Sequence, residues 1–275
     1  MSRHLEGVRL NLSTAPMRIA IAQPSMYWTT AQNTARIVAS LAVASEKNAQ
    51  LCLFPELALT GFHRGIREQS DPGLVESGIQ QVRAACRTYR VGCAFGAPTF
   101  ALDGTIRNSY LLVDAQGELF AETVKDGLTP AEATFFARGT QRPVVRFEGS
   151  ACATVICREV EDLEPIVTQL AAETIDLVFW PGLIGPPPGL DVIADAGGDP
   201  LDYLPEASAM ARRLGAFVVQ SNWPNALNVP AARRLGESKV IDATGELLIR
   251  LPRDEAGVAA FTLGERDFHW TPMPA

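Results

Sequence analysis

The chain has 275 residues, of which 47% are apolar, and this is enough for a sizeable core in one large domain or two small ones. Its 24 basic and 31 acidic residues give a formal net charge of -7, which argues against a nucleic-acid-binding protein, because such a protein needs a basic face. No apolar run reaches the ~20 residues of a membrane span, so we expect contact with neither nucleic acid nor membrane.

The number and spacing of the cysteines and histidines restrict the kinds of catalytic or metal site that the chain can form. The five cysteines are odd in number, lack a C-x-x-C pair and mostly lie in apolar runs, which predicts free thiols and a cytoplasmic location. The three histidines are His4, His63 and His269, and no His/Cys/Asp cluster has metal-ligand spacing, so we expect no metal and no other cofactor. A catalytic thiol would have to use His63, a histidine near a terminus, or a base of another type.

The beginning of the chain differs from the rest. Residues 1–16 have no long apolar core and no clear cleavage signal, so we interpret them as a flexible N-terminal extension and not as a secretory peptide. No later stretch has the composition of a linker, and we expect residues 17–275 to form a single domain.

Strand, helix and strand follow in order. Residues 17–23 alternate apolar side chains and predict a first strand. Thr29 and Gln32 form a capping-box pattern, which starts a helix that ends near Asn48. Residues 51–54 are continuously apolar, as in a strand covered on both faces, so the three elements predict a βαβ unit.

Glu56 follows this second strand and is the only charged residue between Leu51 and Phe62. A loop carboxylate can simply be solvated. A lone carboxylate that is buried with an apolar stretch, however, must be paired with a cation, accept hydrogen bonds or have a raised pKa. Glu56 is therefore either an ordinary loop charge or a functional carboxylate.

The next predicted elements are a helix at 75–86, a strand at 91–97 and a hairpin at 108–124. The turn of the hairpin contains Gly117, which can supply a positive φ. The second strand of the hairpin ends at Lys125. A lysine after an apolar strand is usually a surface group that extends its ammonium into solvent, so Lys125 alone does not indicate a site.

The stretch 151–159 has the pattern of a buried strand that stops abruptly. Val155 and Ile156 are β-branched and apolar, whereas charged residues follow from Arg158 onwards. Cys157 lies at this change, and the end of a strand is where α/β folds place reactive groups. Free cysteines are also commonly small buried hydrophobes, so both interpretations of Cys157 are open on this stretch alone.

The remaining chain repeats the order of the first part. We predict a helix at about 163–173, a strand at 175–180, a Gly/Pro-rich loop at 181–200, a helix at 201–214, a strand at 216–222, a hairpin at 239–250 and a last strand at 257–263. The turn at 242–247 echoes the turn at 114–119, which indicates two similar halves. Long loops in compact domains are commonly binding loops, so we expect residues 181–200 to line the entrance of a pocket.

Several of these segments resemble the nitrilase superfamily, the carbon–nitrogen hydrolases, between Met17 and about Leu263. The matching segments are Arg18–Gln23, Phe54–Glu56, Thr60–Phe62, Asn108-Ser109, Lys125, Glu132 with Phe136 and Gly139, Val155–Cys157, Ser221-Asn222 and Gly236–Ser238. No single block is decisive. Four blocks in the right order, each at a predicted strand end or just beyond it, make the resemblance specific.

The resemblance implies an α/β fold, a four-layer α-β-β-α sandwich of the nitrilase type, commonly paired into a homodimer or a higher homo-oligomer. It implies a catalytic set of Glu56, Lys125 and Cys157. It also implies that Glu132, which matches a second glutamate of the family, helps to place the lysine.

Two departures from the family pattern concern the substrate. Many relatives have a histidine shortly after the lysine, whereas here Asp126-Gly127 follows. Many have an aspartate after the cysteine and then Phe-Pro-Glu, whereas here the chain reads Arg158-Glu159-Val160 and continues with acidic residues. For substrate binding we expect contributions from the backbone N–H of Arg158 and from Trp180 and Gly182, beside the nucleophile.

The chemistry that the resemblance implies agrees with the properties of the groups. A thiol with a pKa of about 8.5 is only partly ionised at neutral pH, so a carboxylate whose pKa is raised by burial can take its proton. We therefore expect an amidase that releases ammonia from a small carboxamide or carbamoyl compound through a thioester. The alternatives are a nitrilase that acts on a nitrile, and a non-catalytic thiol or binding protein on the same scaffold.

Overall fold

The computed structural model describes residues 17–185, 203–228 and 235–274. The expected N-terminal extension at residues 1–16 and residues 186–200 of the Gly/Pro-rich loop lie outside these ranges. Within them the chain forms thirteen β-strands and five α-helices. None of the described helices is long and apolar enough to cross a membrane.

The strands and helices are numbered along the chain. The strands are β1 Arg18–Gln23, β2 Leu51–Leu53, β3 Gly92–Phe100, β4 Ile106–Val113, β5 Leu119–Val124, β6 Val145–Phe147, β7 Ser150–Thr154, β8 Leu177–Gly182, β9 Phe217–Asn222, β10 Lys239–Ile241, β11 Leu247–Arg250, β12 Gly257–Thr262 and β13 Phe268–Pro272. The helices are α1 Thr30–Glu46, α2 Ile66–Gln69, α3 Pro72–Tyr89, α4 Leu163–Leu170 and α5 Leu204–Leu214.

The strands form two mixed sheets. The order of the first is β13-β12-β1-β2-β3-β4-β5, and the order of the second is β11-β10-β9-β8-β7-β6. β1, β2 and β3 are parallel neighbours in the first sheet, as β7, β8 and β9 are in the second. Parallel strands end at the same edge of their sheet, so the segments that follow β7, β8 and β9 are neighbours in space.

Alternating side chains place each sheet between two apolar cores. In β1, Ala20 shares a core with α1 and α3, whereas Ile19 faces the second sheet. In β8, Phe179 faces the first sheet, whereas Val178 packs with α4 and α5. The layers are therefore helices, sheet, sheet and helices, which confirms the α-β-β-α sandwich.

The echoed turns lie in equivalent hairpins, β4–β5 in the first sheet and β10–β11 in the second. In the first turn, Oδ1 of Asp114 accepts hydrogen bonds from the backbone N–H groups two and four residues later, at 2.9 and 2.8 Å. Oδ1 of Asp242 accepts the same two bonds in the second turn, both at 2.9 Å. The repeated sequence thus encodes one edge hairpin in each sheet.

The structure differs from the predicted elements in two segments, the stretch before Cys157 and the C-terminal tail. The strand predicted to reach Cys157 ends at Thr154, and the N–H of Ile156 donates to Glu159 Oε2 and not to a neighbouring strand. Cys157 then begins a 3₁₀ turn with a φ of 55°, which a strand cannot contain. The tail, where the sequence shows little periodicity, forms β13 by pairing antiparallel with β12. An edge strand contacts the sheet on one side only, so its own apolar alternation is weak.

Candidate active site

Glu56 lies just beyond β2, where the chain passes directly over β3. Gly96 makes this passage possible, because a Cβ there would lie 2.0 Å from the nitrogen of Leu57. Glu56 is 1% exposed. Its Oε1 accepts a hydrogen bond from Asn108 Nδ2 at 2.8 Å, and its carbonyl accepts one from Trp223 Nε1 at 2.9 Å. The lone charge of this apolar stretch is therefore a buried, oriented carboxylate and not a solvated loop charge.

Lys125 follows β5, and its ammonium lies between two carboxylates. Nζ is 2.7 Å from Glu56 Oε1 and 2.6 Å from Glu132 Oε1, and the side chain is 1% exposed. The backbone is fixed as well, because the N–H donates to Asn108 O and the C=O accepts from Gly139 N, both at 2.8 Å. The interpretation of Lys125 as a surface lysine is therefore wrong.

Glu132 lies in a 3₁₀ turn over Glu132–Thr134 that fixes its carboxylate. Its Oε2 accepts a hydrogen bond from Thr129 N at 2.9 Å, and its own N–H donates to Thr129 Oγ1 at 3.2 Å. This reciprocal pair satisfies one oxygen of Glu132 and leaves Oε1 facing Lys125.

Cys157 opens a second 3₁₀ turn, over Cys157–Glu161. Its φ of 55° is uncommon for a residue with a side chain, and such strained positions cluster at functional sites. Its carbonyl accepts a hydrogen bond from Trp180 Nε1 at 3.0 Å, and its Sγ lies 3.9 Å from Leu183 O. All five cysteines are free, and Cys157 is the one among them that is not fully buried.

The charges of these groups act on one another. Burial raises the pKa of the Glu56 carboxyl, although the Lys125 charge opposes the rise. Burial also raises the pKa of the Cys157 thiol to about 12, and the charge of Glu56 adds to the rise. Burial alone would lower the pKa of Lys125, but the negative groups around it raise it. At neutral pH the site therefore combines a neutral thiol, an ammonium and a carboxylate with an increased proton affinity.

Arg158, the first of the residues expected to contact the substrate, directs its guanidinium to other partners. The guanidinium lies 3.1 Å from the carboxylate of Glu161 and 3.5 Å from that of Asp162. Its backbone N–H remains the group that could bind a substrate, since it follows Cys157 directly.

Trp180 and Gly182 both contact Cys157 from the neighbouring strand β8. Trp180 is fully buried and supports the nucleophile by its bond to the Cys157 carbonyl. Gly182 lies beside the nucleophile, because a Cβ on it would be 3.5 Å from Cys157 Cα. Absence of a side chain at Gly182 makes room for the Ile184 side chain, whose Cδ1 would lie 2.8 Å from a Cβ there.

His63 is buried, and its own loop uses both of its ring nitrogens. Nδ1 accepts a hydrogen bond from Gly65 N at 3.1 Å, so Nε2 carries the proton and donates to Thr60 O at 3.1 Å. An imidazole held in this way has no free lone pair with which to take a proton from Cys157. Among the residues expected at the site, Glu56 is instead a buried carboxyl group with a raised pKa.

Sequence reasoning missed Asn108 and the pair of Arg142 and Glu159 as parts of this site. Asn108 was recognised as a family match, but its bond to Glu56 joins two residues 52 positions apart. Glu159 lies in a run of charges typical of a solvated surface, yet it is 1% exposed and its carboxylate is paired with Arg142 at 3.0 Å. Only the apolar Val160 beside Glu159 could have signalled that this part of the run is buried.

The site has the parts for nucleophilic chemistry on a carbonyl or nitrile carbon. A thiol can act as a nucleophile, a carboxylate with raised pKa can act as a base, and an ammonium can stabilise developing negative charge. In the described part of the chain, no group of three or more His, Cys, Asp and Glu side chains is arranged to hold a metal ion.

Comparison with known proteins identifies the family of this chain. Residues 18–265 match the family model of the carbon–nitrogen hydrolases. A protein from Pseudomonas protegens described as "Hydrolase in pqqF 5'region" is 25% identical over 215 residues, which are 76% of this chain and 70% of that protein.

Solved structures of an amidase of the nitrilase superfamily from Nesterenkonia sp. AN1 share the fold. One mutant superposes with a TM-score of 0.77 at 24% identity, over 90% of this chain and 91% of that one. A second mutant, described as carrying the acetamide moiety of fluoroacetamide at its active-site cysteine, superposes with a TM-score of 0.78 at 23% identity, over 90% of both chains. Since the family model covers most of its length, this chain belongs to the carbon–nitrogen hydrolase family.

Proposed function

We propose that this protein is a thiol amidase that releases ammonia from a small carboxamide or carbamoyl compound. The observation that carries the proposal is the buried ammonium of Lys125, held at 2.7 and 2.6 Å between two carboxylates. The segments that carry Lys125 and Cys157 are neighbours, because one carboxylate, that of Glu159, accepts hydrogen bonds from Asp126 N and from Ile156 N. A neutral thiol in this setting needs a base and an anion-stabilising cation, and both are present.

In the first step Cys157 attacks the amide carbon while its proton passes to Glu56. Oε1 of Glu56 accepts from Lys125 and Asn108, whereas Oε2 is buried and has no hydrogen-bond partner among the described residues. A buried acceptor without a partner is costly, so Oε2 is suited to receive the thiol proton. The C–S bond forms, the C=O π electrons move to oxygen, and Lys125 with the Arg158 N–H stabilises the oxyanion.

In the second step the oxyanion collapses and the C–N bond breaks. The nitrogen takes the proton held by Glu56 and leaves as ammonia, and a thioester remains on Cys157. Water then attacks the thioester, gives its proton to Glu56, and releases the carboxylic acid while the thiol is restored. The cycle consumes one water and needs no redox partner.

The preference for an amide over a nitrile is supported by the structural relatives. The Nesterenkonia protein is described as an amidase, and one of its structures is described as a complex with acrylamide. The same thiol could attack a nitrile carbon, so nitrile hydrolysis is the competing outcome of the test below. A non-catalytic thiol or binding protein is the third.

The test is ammonia release from a matched panel of carboxamides, carbamoyl compounds and nitriles with the same side groups, with Cys157→Ala as the blank. We expect turnover of at least one amide or carbamoyl compound and a slower or absent reaction of the matched nitrile. Selective alkylation of Cys157 by iodoacetamide, located by peptide mapping against the four buried cysteines, reports an activated thiol independently of substrate choice. Faster turnover of nitriles would replace the amidase by a nitrilase, and no turnover with no selective alkylation would support the non-catalytic protein.

The raised pKa of Glu56 predicts the pH dependence of kcat/KM. As the pH falls through this pKa, the carboxylate becomes protonated and can no longer accept the thiol proton, so the rate falls. The midpoint of the acid limb should therefore lie above 4.5, the ordinary value of a glutamate. Because the thiol pKa is raised to about 12, the rate should stay level on the alkaline side.

This profile can be measured with the best amide between about pH 4 and about pH 10, within the stability range of the protein. Glu56→Gln is the matched variant, and its small residual rate should lack the acid limb. A rate that instead rises with a midpoint near 8.5, as for ionisation of an ordinary thiol, would contradict proton transfer to Glu56.

A further inference from the structure

We propose that Glu159 is a positioning residue that holds Lys125 and Cys157 in one fixed arrangement. The proposal rests on the proposed function, and Glu159 itself does not touch the reacting atoms in it. Its carboxylate joins the segment that directly follows the lysine to the residue that directly precedes the cysteine. These two segments belong to different sheets, since Lys125 follows β5 and Cys157 follows β7.

The carboxylate accepts two backbone hydrogen bonds from the segment after Lys125 and one from the segment before Cys157. Oε1 of Glu159 accepts the backbone N–H of Asp126 at 2.6 Å and that of Gly127 at 3.0 Å. Oε2 accepts the backbone N–H of Ile156 at 2.7 Å. The carboxylate thus fixes the backbone one residue after Lys125 and one residue before Cys157.

Arg142 completes the set and adds a third segment. Its Nη1 donates to Oε2 of Glu159 at 3.0 Å and also donates to the carbonyl of Thr154, the last residue of β7. The side chains of Arg142 and Glu159 are 4% and 1% exposed, so this is a buried ion pair whose partners have little water to turn to. The charged carboxylate therefore receives four donors, two on each oxygen.

Close packing confirms that the Lys125 loop rests on this side chain. A Cβ on Gly127 would lie 2.9 Å from Cγ of Glu159, which only glycine avoids. A shift of the Glu159 side chain would therefore move the loop that carries Lys125. A displacement of about 1 Å between a nucleophile and its stabilising charge can lower a rate by about 10²-fold.

The arrangement requires a carboxylate and not merely a polar side chain of the same size. A glutamine has one oxygen that can accept two of the four donors, and an NH₂ group that must face the other two. Whichever way the amide is turned, its NH₂ group faces two N–H groups that are themselves donors. The repulsion between these donors pushes away either the Lys125 loop or the Cys157 turn. Glu159→Gln thus separates positioning from volume.

The experiment compares Glu159→Gln with Asp176→Asn, the same change of carboxylate to amide at the other end of β7. Oδ2 of Asp176 accepts the N–H of Ala151 at 2.7 Å, at the start of the segment that Glu159 holds at its end. For Glu159→Gln we expect kcat to fall at least 30-fold, KM to change less than threefold, and alkylation of Cys157 by iodoacetamide to slow at least fivefold. For Asp176→Asn we expect kcat and the alkylation rate of Cys157 to stay within threefold of the wild type.

Arg142→Met provides a second variant, because it leaves Glu159 with its three backbone donors. We expect it to melt at a lower temperature and to keep kcat within about tenfold. If Glu159→Gln does not fold because Arg142 is left unpaired, the double variant Arg142→Met with Glu159→Gln is compared with Arg142→Met alone. If kcat of the double variant is at least tenfold lower than that of Arg142→Met, the result supports Glu159 as a positioning residue.

The proposal is overturned if folded Glu159→Gln, or the double variant relative to Arg142→Met, keeps kcat and the alkylation rate within threefold of its reference. A lowered melting temperature with unchanged rates would also overturn it, because Glu159 would then be a structural residue only. The alkylation rate needs no substrate. If the wild type hydrolysed nothing, the proposed function would fail, and slower alkylation in Glu159→Gln would still show that Glu159 positions the thiol.

Discussion

Cys157→Ala is expected to abolish hydrolysis while the protein remains folded. The substitution removes the only group of the site that can form a covalent bond to the substrate carbon in the proposed mechanism. Cysteine and alanine carry the same Cβ at a φ of 55°, so the backbone strain of the turn is unchanged. The substitution removes one sulfur atom and changes the side-chain volume little, so the variant should remain folded.

Ammonia release by the purified variant and its thermal melting curve check this expectation. Cys152→Ala is the matched control, because Cys152 lies in β7 and is fully buried. That variant should lose stability through the cavity it leaves and retain its turnover. If Cys157→Ala keeps even about a tenth of the wild-type rate, another residue is the nucleophile.

Lys125→Ala is expected to lower kcat/KM by at least ~10²-fold, because the oxyanion loses a cation that contributes about 3 kcal/mol or more to its stabilisation. The same change leaves Glu56 and Glu132 buried without the ammonium between them. Breaking a buried ion pair in this way costs about 3–5 kcal/mol of stability, so the melting temperature should fall as well. A surface lysine would show neither effect.

Lys125→Arg should not restore the rate. The ammonium fits between carboxylate oxygens at 2.7 and 2.6 Å, whereas a planar guanidinium presents its donors in a wider fork and needs more space. Hydrolysis by wild type, Lys125→Ala and Lys125→Arg should be measured at a temperature well below the melting point of each. A folded Lys125→Ala protein with a near-normal rate would remove the lysine from the mechanism and leave Cys157 as the sole support of the site.

The strand–helix order and the positions of the strand ends were predictable because they depend on local patterns. Apolar alternation at 18–23, the continuous apolar run at 51–54 and the cap at Thr29 each concern residues within a few positions of one another. In the structure Thr29 accepts the N–H of Gln32 at 3.3 Å, and β1 and β2 occupy those ranges. Polar residues directly after such strands were therefore identifiable as site candidates.

The environment of each candidate was not predictable in the same way. Lys125 has the sequence context of a surface lysine, and its burial depends on Glu56, which is 69 positions away. Glu159 lies among solvated charges in the sequence, yet it accepts four hydrogen bonds in the structure. The left-handed backbone of Cys157, at the start of the turn after β7, also has no local signal such as glycine.

By itself the sequence determined most of the strands and helices, because these follow from local periodicity and residue type. It also carried the family resemblance, which implied Glu56, Lys125 and Cys157 as the catalytic set. Only the tertiary structure decided how deeply the lysine is buried with its two carboxylates, that His63 is occupied by its own loop, and that Glu159 joins the two halves of the site. The physical reason is that burial and electrostatic interaction depend on atoms brought together from distant parts of the chain. A pKa or a hydrogen-bond partner is therefore a property of the folded neighbourhood and not of the residue.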